Sequence, residues 1–165
     1  MVQTISGFRS AAPANSGQLN ASMTVLITND DGIFSEGIAT LSTALSAKHD
    51  VWTIAPDVER SGMSHAITLR DAVKIREVSP QTYTCDGTPA DCVLYSLLGA
   101  VRGEPDVVVS GINHGPNLGT DIIYSGTVAA ARQAALMGRP GIAVSLVGEA
   151  TTQNFESSAR FIADN

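Results

Sequence analysis

From Met23 onward, short β-type runs alternate with segments of helical periodicity, and this alternation limits the fold more than any other feature of the chain. Compact apolar runs typical of buried strands occur at 25–28, 51–55, 106–112 and 141–147. Helical spacing of apolar residues, or a helix start or stop signal, marks 37–49, 89–99 and 126–138. Strands that alternate with helices predict a mostly parallel sheet covered by helices on both faces.

We therefore expect a doubly wound, Rossmann-like α/β domain. Segment 65–87 interrupts the alternation with short extended pieces and turns, which predicts a small β-hairpin inserted between two βα units. The end of the chain, "FESSARFIADN", reads as a helix. A length of 165 residues with 44% hydrophobic residues is enough for one domain with a sizeable core. We place that domain at 23–165.

Residues 1–22 differ from the rest of the chain in composition. They are rich in Ser, Ala, Asn and Gly, contain no acidic residue and lack a continuous apolar run, which disfavours a secretory signal. We expect a disordered N-terminal extension over 1–22. An organelle transit peptide is the alternative, although Arg9 is the only basic residue that it would contain.

Composition also limits the partners and the compartment. No stretch of about 18 apolar residues occurs, so a membrane span is not expected. The formal net charge of -6 argues against binding of a nucleic-acid duplex. Cys85 and Cys92 form no C-x-x-C motif and have no paired histidine, so neither a disulfide framework nor a zinc site is predicted. These features together favour a cytoplasmic protein.

Polar segments follow three of the predicted strands. They begin with Asn29-Asp30-Asp31-Gly32, with "PDVERSGMS" after the second strand, and with "SGINHGPNLGTDIIYSGT" after the strand at 106–112. In open α/β sheets, ligands bind beyond the carboxyl ends of the strands. We therefore expect these three loops to meet along one edge of the sheet and to form the functional site.

Asp30 and Asp31 are adjacent, and their carboxylates repel each other unless something stabilises both as anions. A divalent cation would do so, because carboxylate, hydroxyl and amide oxygens are ligands that Mg²⁺, Mn²⁺ or Ca²⁺ prefer. It would also give an acidic protein a positive point that receives a phosphate. In the alternative interpretation, one aspartate caps the following helix and the other is solvated.

The loop before the helix at 126–138 has 18 residues, and loops longer than about 12 residues in a compact domain are usually functional. Ser125, Gly126 and Thr127 open that helix, where free N–H groups and the helix dipole favour an anion. We predict phosphate binding at these three residues, with N-capping by Ser125 compatible with it. The glycine spacing is not the dinucleotide fingerprint, and no Walker lysine occurs.

Four motifs in order carry a family resemblance: "ITNDDGIFSEGI", "VWTIAPDVERSGMSHAITL", "CDGTPADCVLYSL" and "DVVVSGINHGPNLGTDIIYSGTVAAARQAALMGRPGIAVS". From Met23 to about Ser145 the chain resembles the SurE family of survival-protein nucleotidases. The resemblance implies one divalent cation, Mg²⁺ or Mn²⁺ with Ca²⁺ as a substitute in crystals. The ligands that it implies are Asp30, Asp31, Ser61 and Asn113.

The resemblance further implies metal-dependent removal of phosphate from nucleoside 5′- and 3′-monophosphates. Our hypothesis is a phosphomonoesterase in which metal-bound water attacks phosphorus in line, with Asp30 and Asp31 as catalytic ligands and the helix after Tyr124 stabilising charge on the phosphate. Arg60 either contacts phosphate or is a solvated surface charge, and the sequence favours neither interpretation over the other. For His65 and His114, an incidental role is favoured over acid–base catalysis.

Family members are longer than this chain, and the resemblance implies a further C-terminal segment that exchanges between subunits. Homodimers or homotetramers are therefore expected of the full-length family and are in doubt for a 165-residue chain. Two alternative functions stay open. One is a phosphohydrolase that forms a phosphoaspartate, although that chemistry usually presents D-x-D after the first strand. The other is a metal-binding domain without turnover.

Overall fold

The structure is a computed structural model that describes residues 2–5, 22–149 and 151–165. Within these ranges the strands are β1 Val2–Ile5, β2 Thr24–Thr28, β3 Asp50–Pro56, β4 Ile75–Ser79, β5 Thr82–Cys85, β6 Val107–Asn113 and β7 Gly141–Ser145. The α-helices are α1 Glu36–Ser46, α2 Pro89–Tyr95, α3 Asp121–Tyr124, α4 Gly126–Leu136 and α5 Thr152–Asp164. A π-helical turn at Ser96–Ala100 continues α2.

The strands form one sheet in the order β1-β7-β6-β2-β3-β5-β4. The five central strands are parallel to one another, whereas β1 and β4 pair antiparallel at the two edges. This arrangement confirms the predicted doubly wound α/β fold. The hairpin predicted within 65–87 is also present, as β4 and β5. It does not stand apart from the sheet, because β5 pairs with β3 and extends it.

Alternate residues of β2 pack on opposite faces of the sheet. Val25 and Ile27 pack in the cluster with α1 and α5, whereas Leu26 packs in the cluster with α2 and α4. This follows from the two-residue side-chain period of a strand, and a strand buried on both faces reads as a continuous apolar run. In α1, Leu41 has no exposed surface, and burial of such a side chain contributes about 1.5–3 kcal/mol.

Three features differ from the sequence-based expectations. First, Val2–Ile5 form an edge strand on β7, so the predicted disorder of 1–22 does not hold for these four residues. The remainder of that prediction, at residue 1 and 6–21, falls outside the described residues. Second, β6 runs through Asn113, one residue beyond the end of the predicted strand at 106–112, so Asn113 belongs to the strand and not to the following loop. Third, the short helix α3 lies inside the predicted long loop.

The parallel strands β2, β3 and β6 place their carboxyl ends at the same edge of the sheet. The three polar segments that follow them therefore meet there, as expected. None of the helices among the described residues is long and apolar enough to cross a membrane.

Candidate metal and phosphate site

The turn after β2 is built around the side chain of Asn29, which has no exposed surface. Its Nδ2 donates to the Gly32 carbonyl at 3.0 Å and to Ser35 Oγ at 2.7 Å, and its Oδ1 accepts from the Gly32 N–H at 3.1 Å. Gly32 has a φ of +98°, a conformation that glycine adopts without steric penalty. The amide of Asn29 thus fixes the backbone that carries Asp30 and Asp31.

Asp30 is 3% exposed and lies against the first turn of α4. The Thr127 hydroxyl donates to Asp30 Oδ1, and a Cβ atom on Gly126 would lie 2.8 Å from the Asp30 Cβ. Burial raises the pKa of the Asp30 carboxyl, opposed by the Thr127 hydroxyl and by backbone N–H groups that include those of Thr127 and Gly126. Asp30 therefore interacts with the start of α4 and does not cap α1, whose N-cap residue is Ser35.

Asp31 faces the loop after β6. Its Oδ2 accepts a hydrogen bond from the His114 backbone N–H at 3.1 Å. Burial raises the pKa of the Asp31 carboxyl, and the charges of Asp30 and Glu59 raise it further, whereas the His114 N–H opposes these effects. Hydrogen bonds from the protein thus offset only part of the unfavourable free energy of keeping the two neighbouring carboxylates ionised.

Two backbone hydrogen bonds join the end of β3 and the loop after it to the turn after β2. The Ile33 N–H donates to the Pro56 carbonyl at 2.9 Å, and the Arg60 N–H donates to the Asp30 carbonyl at 2.7 Å. The second bond brings the residue next to Ser61 to the acidic pair. Ser61 itself is exposed, and its Oγ donates to Glu59 Oε1 at 2.9 Å.

The Arg60 side chain is engaged away from the acidic pair. Its Nη2 donates to the Asp86 carbonyl at 3.0 Å and lies 3.7 Å from Asp57 Oδ1. The sequence left two interpretations of Arg60 open, a phosphate contact and a solvated surface charge. Neither describes these contacts, because the guanidinium joins the loop after β3 to the turn after β5. A phosphate contact by Arg60 stays a prediction that would require these bonds to rearrange.

Asn113 is the last residue of β6 and is 9% exposed. Its Nδ2 donates to the Gly115 carbonyl at 2.8 Å, and its own carbonyl accepts from the Leu146 N–H at 3.0 Å. With the amide nitrogen oriented toward Gly115, the side-chain oxygen Oδ1 is the atom that Asn113 can offer to a cation. The neighbouring His114 N–H, bonded to Asp31, ties this strand end to the acidic pair.

The three residues predicted to bind phosphate form the start of α4. Ser125 is the N-cap residue, and its Oγ accepts from the Val128 N–H at 3.1 Å. The hydroxyl of Thr127 is bonded to Asp30, and Thr127 has no exposed surface. The Thr127 hydroxyl proton is therefore used by Asp30, and the geometry does not favour a phosphate contact through that side chain. N-capping uses only the oxygen of Ser125 and leaves its hydroxyl proton, so phosphate contact by Ser125 stays a prediction.

The two loop histidines have different surroundings. The His65 Nε2 is 2.8 Å from Oε1 of Gln133, a buried residue of α4, so this ring ties the loop after β3 to that helix. His114 is exposed and lines a cavity of about 330 Å³ together with Asp31, Glu36 and Glu59. A larger groove of about 620 Å³ lies between α1 and α5 and contains none of the predicted site residues.

Comparison with known proteins agrees with this arrangement. Residues 25–165 match the sequence profile of the family described as survival protein SurE. A 5′-nucleotidase SurE of Pseudoalteromonas atlantica is 45% identical over 140 residues, which cover 85% of this chain and 56% of that protein. The chain belongs to the SurE family. A SurE relative from Treponema pallidum, also named 5′-nucleotidase SurE, is 50% identical over 148 residues, which cover 86% of this chain and 79% of the relative.

The crystal structure of the SurE protein from Aquifex aeolicus superposes with a TM-score of 0.80 at 44% sequence identity. The match covers 86% of this chain and 57% of that one. The chain thus spans a little over half the length of most of the SurE relatives described, and four fifths of the one from Treponema pallidum.

The residues predicted as metal ligands in this SurE domain form a donor set of hard oxygens: two carboxylates, one hydroxyl and one amide oxygen. In the part of the chain that the structure describes, no three His, Cys, Asp or Glu side chains come together to hold a metal ion. The predicted set differs from such a cluster because Ser61 and Asn113 supply half of it. Oxygen donors with two negative charges fit Mg²⁺ or Mn²⁺ better than a softer metal.

Sequence reasoning placed Asn29 and Glu59 in the loops of the expected site without giving either a role, and it missed the contact between Thr127 and Asp30. Nothing local in the sequence indicates that contact, because the two residues are 97 positions apart. Asn29 was detectable in part, since Asn followed three residues later by Gly is typical of a side-chain-stabilised turn.

Proposed function

We propose that this chain carries the metal-binding and phosphate-binding part of a divalent-metal-dependent phosphomonoesterase acting on nucleoside 5′- and 3′-monophosphates. The observation that carries the proposal is the acidic pair, buried Asp30 and half-buried Asp31, at the edge where three strand-end segments meet. The relatives named 5′-nucleotidase supply the substrate class.

The proposed ligands are Asp30, Asp31, Ser61 and Asn113, and the proposed cation is Mg²⁺ or Mn²⁺. A bound divalent cation would neutralise phosphate charge and acidify a water molecule. The chain's own residues supply position and selectivity: the Thr127 hydroxyl holds Asp30, and the His114 N–H holds Asp31. Asp30 is also placed to accept a proton, although burial and its hydrogen bonds limit that role.

The phosphate is proposed to lie near the N-terminus of α4, an eleven-residue helix whose dipole favours an anion. Because the Thr127 hydroxyl donates to Asp30, we assign the favourable field of this helix, and not that hydroxyl, to the phosphate. The exposed His114 ring lines the same cavity as Asp31.

The proposal is tested by phosphate release from nucleoside monophosphates and p-nitrophenyl phosphate with Mg²⁺, with Mn²⁺ and after complete chelation. Turnover should require the metal and should be lost in Asp31→Asn. The matched control is Asp164→Asn, which removes one carboxylate at an exposed position on α5. Turnover that survives chelation, or that survives Asp31→Asn, would refute the proposal.

A metal-binding domain without turnover is the second candidate, because the chain spans only 56% of the relative from Pseudoalteromonas atlantica. Tight Mn²⁺ binding without phosphate release from any substrate would favour it. The phosphoaspartate route requires a carboxylate that reaches phosphorus, and Asp30 is 3% exposed with Oδ1 bonded to Thr127. Labelled phosphate trapped on the protein and released by hydroxylamine would nevertheless support that route.

We also propose that the protein acts in the cytoplasm and that longer SurE chains assemble as homodimers or homotetramers. Two free, buried cysteines suit a reducing compartment. Cell fractionation tests the first statement. Sedimentation of this chain beside a longer SurE chain tests the second.

A further inference from the structure

Glu59 is an acidic residue of the loop after β3 to which the proposed function assigns no role. Its Oε1 accepts the Ser61 hydroxyl proton at 2.9 Å. It also lines the same cavity as Asp31 and His114. A serine hydroxyl has one proton and two lone pairs, so a serine that donates to a carboxylate keeps both lone pairs for a cation.

We propose that Glu59 is a positioning residue that holds the Ser61 hydroxyl with its oxygen available to the divalent cation. The inference rests on the proposed function, since it takes Ser61 as a ligand. Glu59 acts through Ser61 and does not itself bind the metal. Partners of metal ligands fix ligand orientation in this way, and their removal weakens metal binding about 10–100-fold.

The position of Ser61 explains why it needs such a partner. The loop backbone is fixed at Arg60, whose N–H donates to the Asp30 carbonyl at 2.7 Å. Gly62, two residues after Arg60, has a φ of +74°, and no atom lies within 4 Å of the position that a Cβ would take. Ser61 is exposed, so core packing does not select among its three staggered rotamers. The bond to Glu59 makes that selection.

The negative charge of Glu59 is a second way in which this residue would strengthen cation binding. Glu59 is close enough to Asp31 to raise the pKa of that carboxyl together with burial, which is the larger cause. A third carboxylate beside the acidic pair increases the attraction for a cation. The hydrogen bond and the charge must therefore be separated by experiment.

Glu36 provides a matched control for the charge. It is exposed at the first position of α1 and lines the same cavity as Glu59. Within the described part of the chain, no hydrogen bond joins Glu36 to Ser61. Replacement of Glu36 thus removes an equal charge from the same cavity without removing a partner of Ser61.

The test measures the dissociation constant of Mn²⁺ by electron paramagnetic resonance for the whole chain and its variants. We expect Glu59→Ala to weaken binding about ten-fold. Glu59→Gln keeps an acceptor for the Ser61 proton and should recover most of that loss. The double variant of Glu59→Ala with Ser61→Ala should bind within about two-fold of Ser61→Ala alone, because the two residues act as one unit.

Three results would overturn the proposal. The first is an equal loss of Mn²⁺ affinity from Glu59→Ala in the unmodified chain and in the Ser61→Ala variant, which would mean that Glu59 acts only through its charge. The second is a Glu36→Ala variant that loses as much Mn²⁺ affinity as Glu59→Ala does. The third is unchanged Mn²⁺ binding in Ser61→Ala while Asp31→Asn abolishes it, which would remove Ser61 from the ligand set and leave the metal-dependent function standing. Absence of Mn²⁺ binding by the unmodified chain would instead refute the proposed function itself.

Discussion

The contact between Thr127 and Asp30 leads to a prediction that separates a structural role of Thr127 from a phosphate-binding role. Thr127 has no exposed surface, and its hydroxyl donates to the Asp30 carboxylate. Thr127→Val keeps the branched shape and removes only that hydroxyl. Thr127→Ser keeps the hydroxyl and serves as the matched control. Valine and threonine have similar helix propensities, so α4 itself should tolerate the change.

The magnitude follows from the kind of bond that is lost. A hydrogen bond to a charged group contributes about 1.5–3 kcal/mol. For a chain of this length, 1 kcal/mol corresponds to about 2–4 °C in the melting temperature. We therefore expect Thr127→Val to lower the melting temperature of the metal-free chain by about 3–12 °C.

The sign of the pH dependence can also be stated. Burial raises the folded-state pKa of Asp30 above its ordinary value, so ionisation of this group makes the metal-free chain less stable as the pH rises through that interval. The Thr127 hydroxyl opposes the shift, because it stabilises the ionised form. Its loss raises the pKa further. The difference in stability between Thr127→Val and the unmodified chain should thus grow as the pH rises through the raised pKa.

Thermal unfolding followed by circular dichroism, at a series of pH values and without metal, measures both effects. A parallel series in an Asp30→Asn background should show a much smaller difference between threonine and valine, since the charged acceptor is gone. If Thr127→Val melts like the unmodified chain at every pH while its KM for phosphate esters rises, the hydroxyl serves phosphate and the structural assignment is refuted.

Three further predictions follow from the packing. Gly126→Ala would place a Cβ 2.8 Å from that of Asp30, so we expect a loss of about 1–3 kcal/mol in unfolding free energy together with weaker Mn²⁺ binding. Asp91→Asn should destabilise the chain by about 3 kcal/mol or more in urea unfolding, because a fully buried carboxylate that accepts two N–H groups and a hydroxyl would be replaced by a group with its own donors. Cys85 and Cys92 have no exposed surface, so a thiol reagent should modify them only after unfolding.

The central fold was predictable because its signals are local. The apolar runs of β2, β3, β6 and β7 and the Ala-rich pattern of α4 each occupy one continuous segment. The edges of the sheet were less predictable. In β4 four of five residues are exposed, so no buried face leaves a pattern. The position of β4 and β5 in the sheet depends on the pairing of β5 with β3, a tertiary contact that no local sequence pattern indicates.

The candidate site was predictable to the level of loops and not to the level of hydrogen bonds. Strand polarity alone brings the segments around Asp31, Ser61 and Asn113 to one edge of the sheet. The partners of those side chains come from distant positions, as with the His114 N–H, which is 83 residues from Asp31. The alternative interpretation, in which an aspartate caps the following helix, fails because the helix that Asp30 contacts is α4 and not the adjacent α1, whose N-cap residue is Ser35.

The electrostatics of the acidic pair join the fold to the proposed chemistry. Each carboxylate accepts hydrogen bonds from a different part of the chain, yet burial still leaves both pKa values raised, and the charge of Asp30 adds to this effect at Asp31. Ionisation of either group therefore lowers the stability of the metal-free chain. A cation that binds only the folded chain would reverse that loss and would stabilise the fold by mass action. Because the proposed ligands come from three strand ends, the same cation would join those segments, so stability and the proposed phosphate recognition would rise together when it binds.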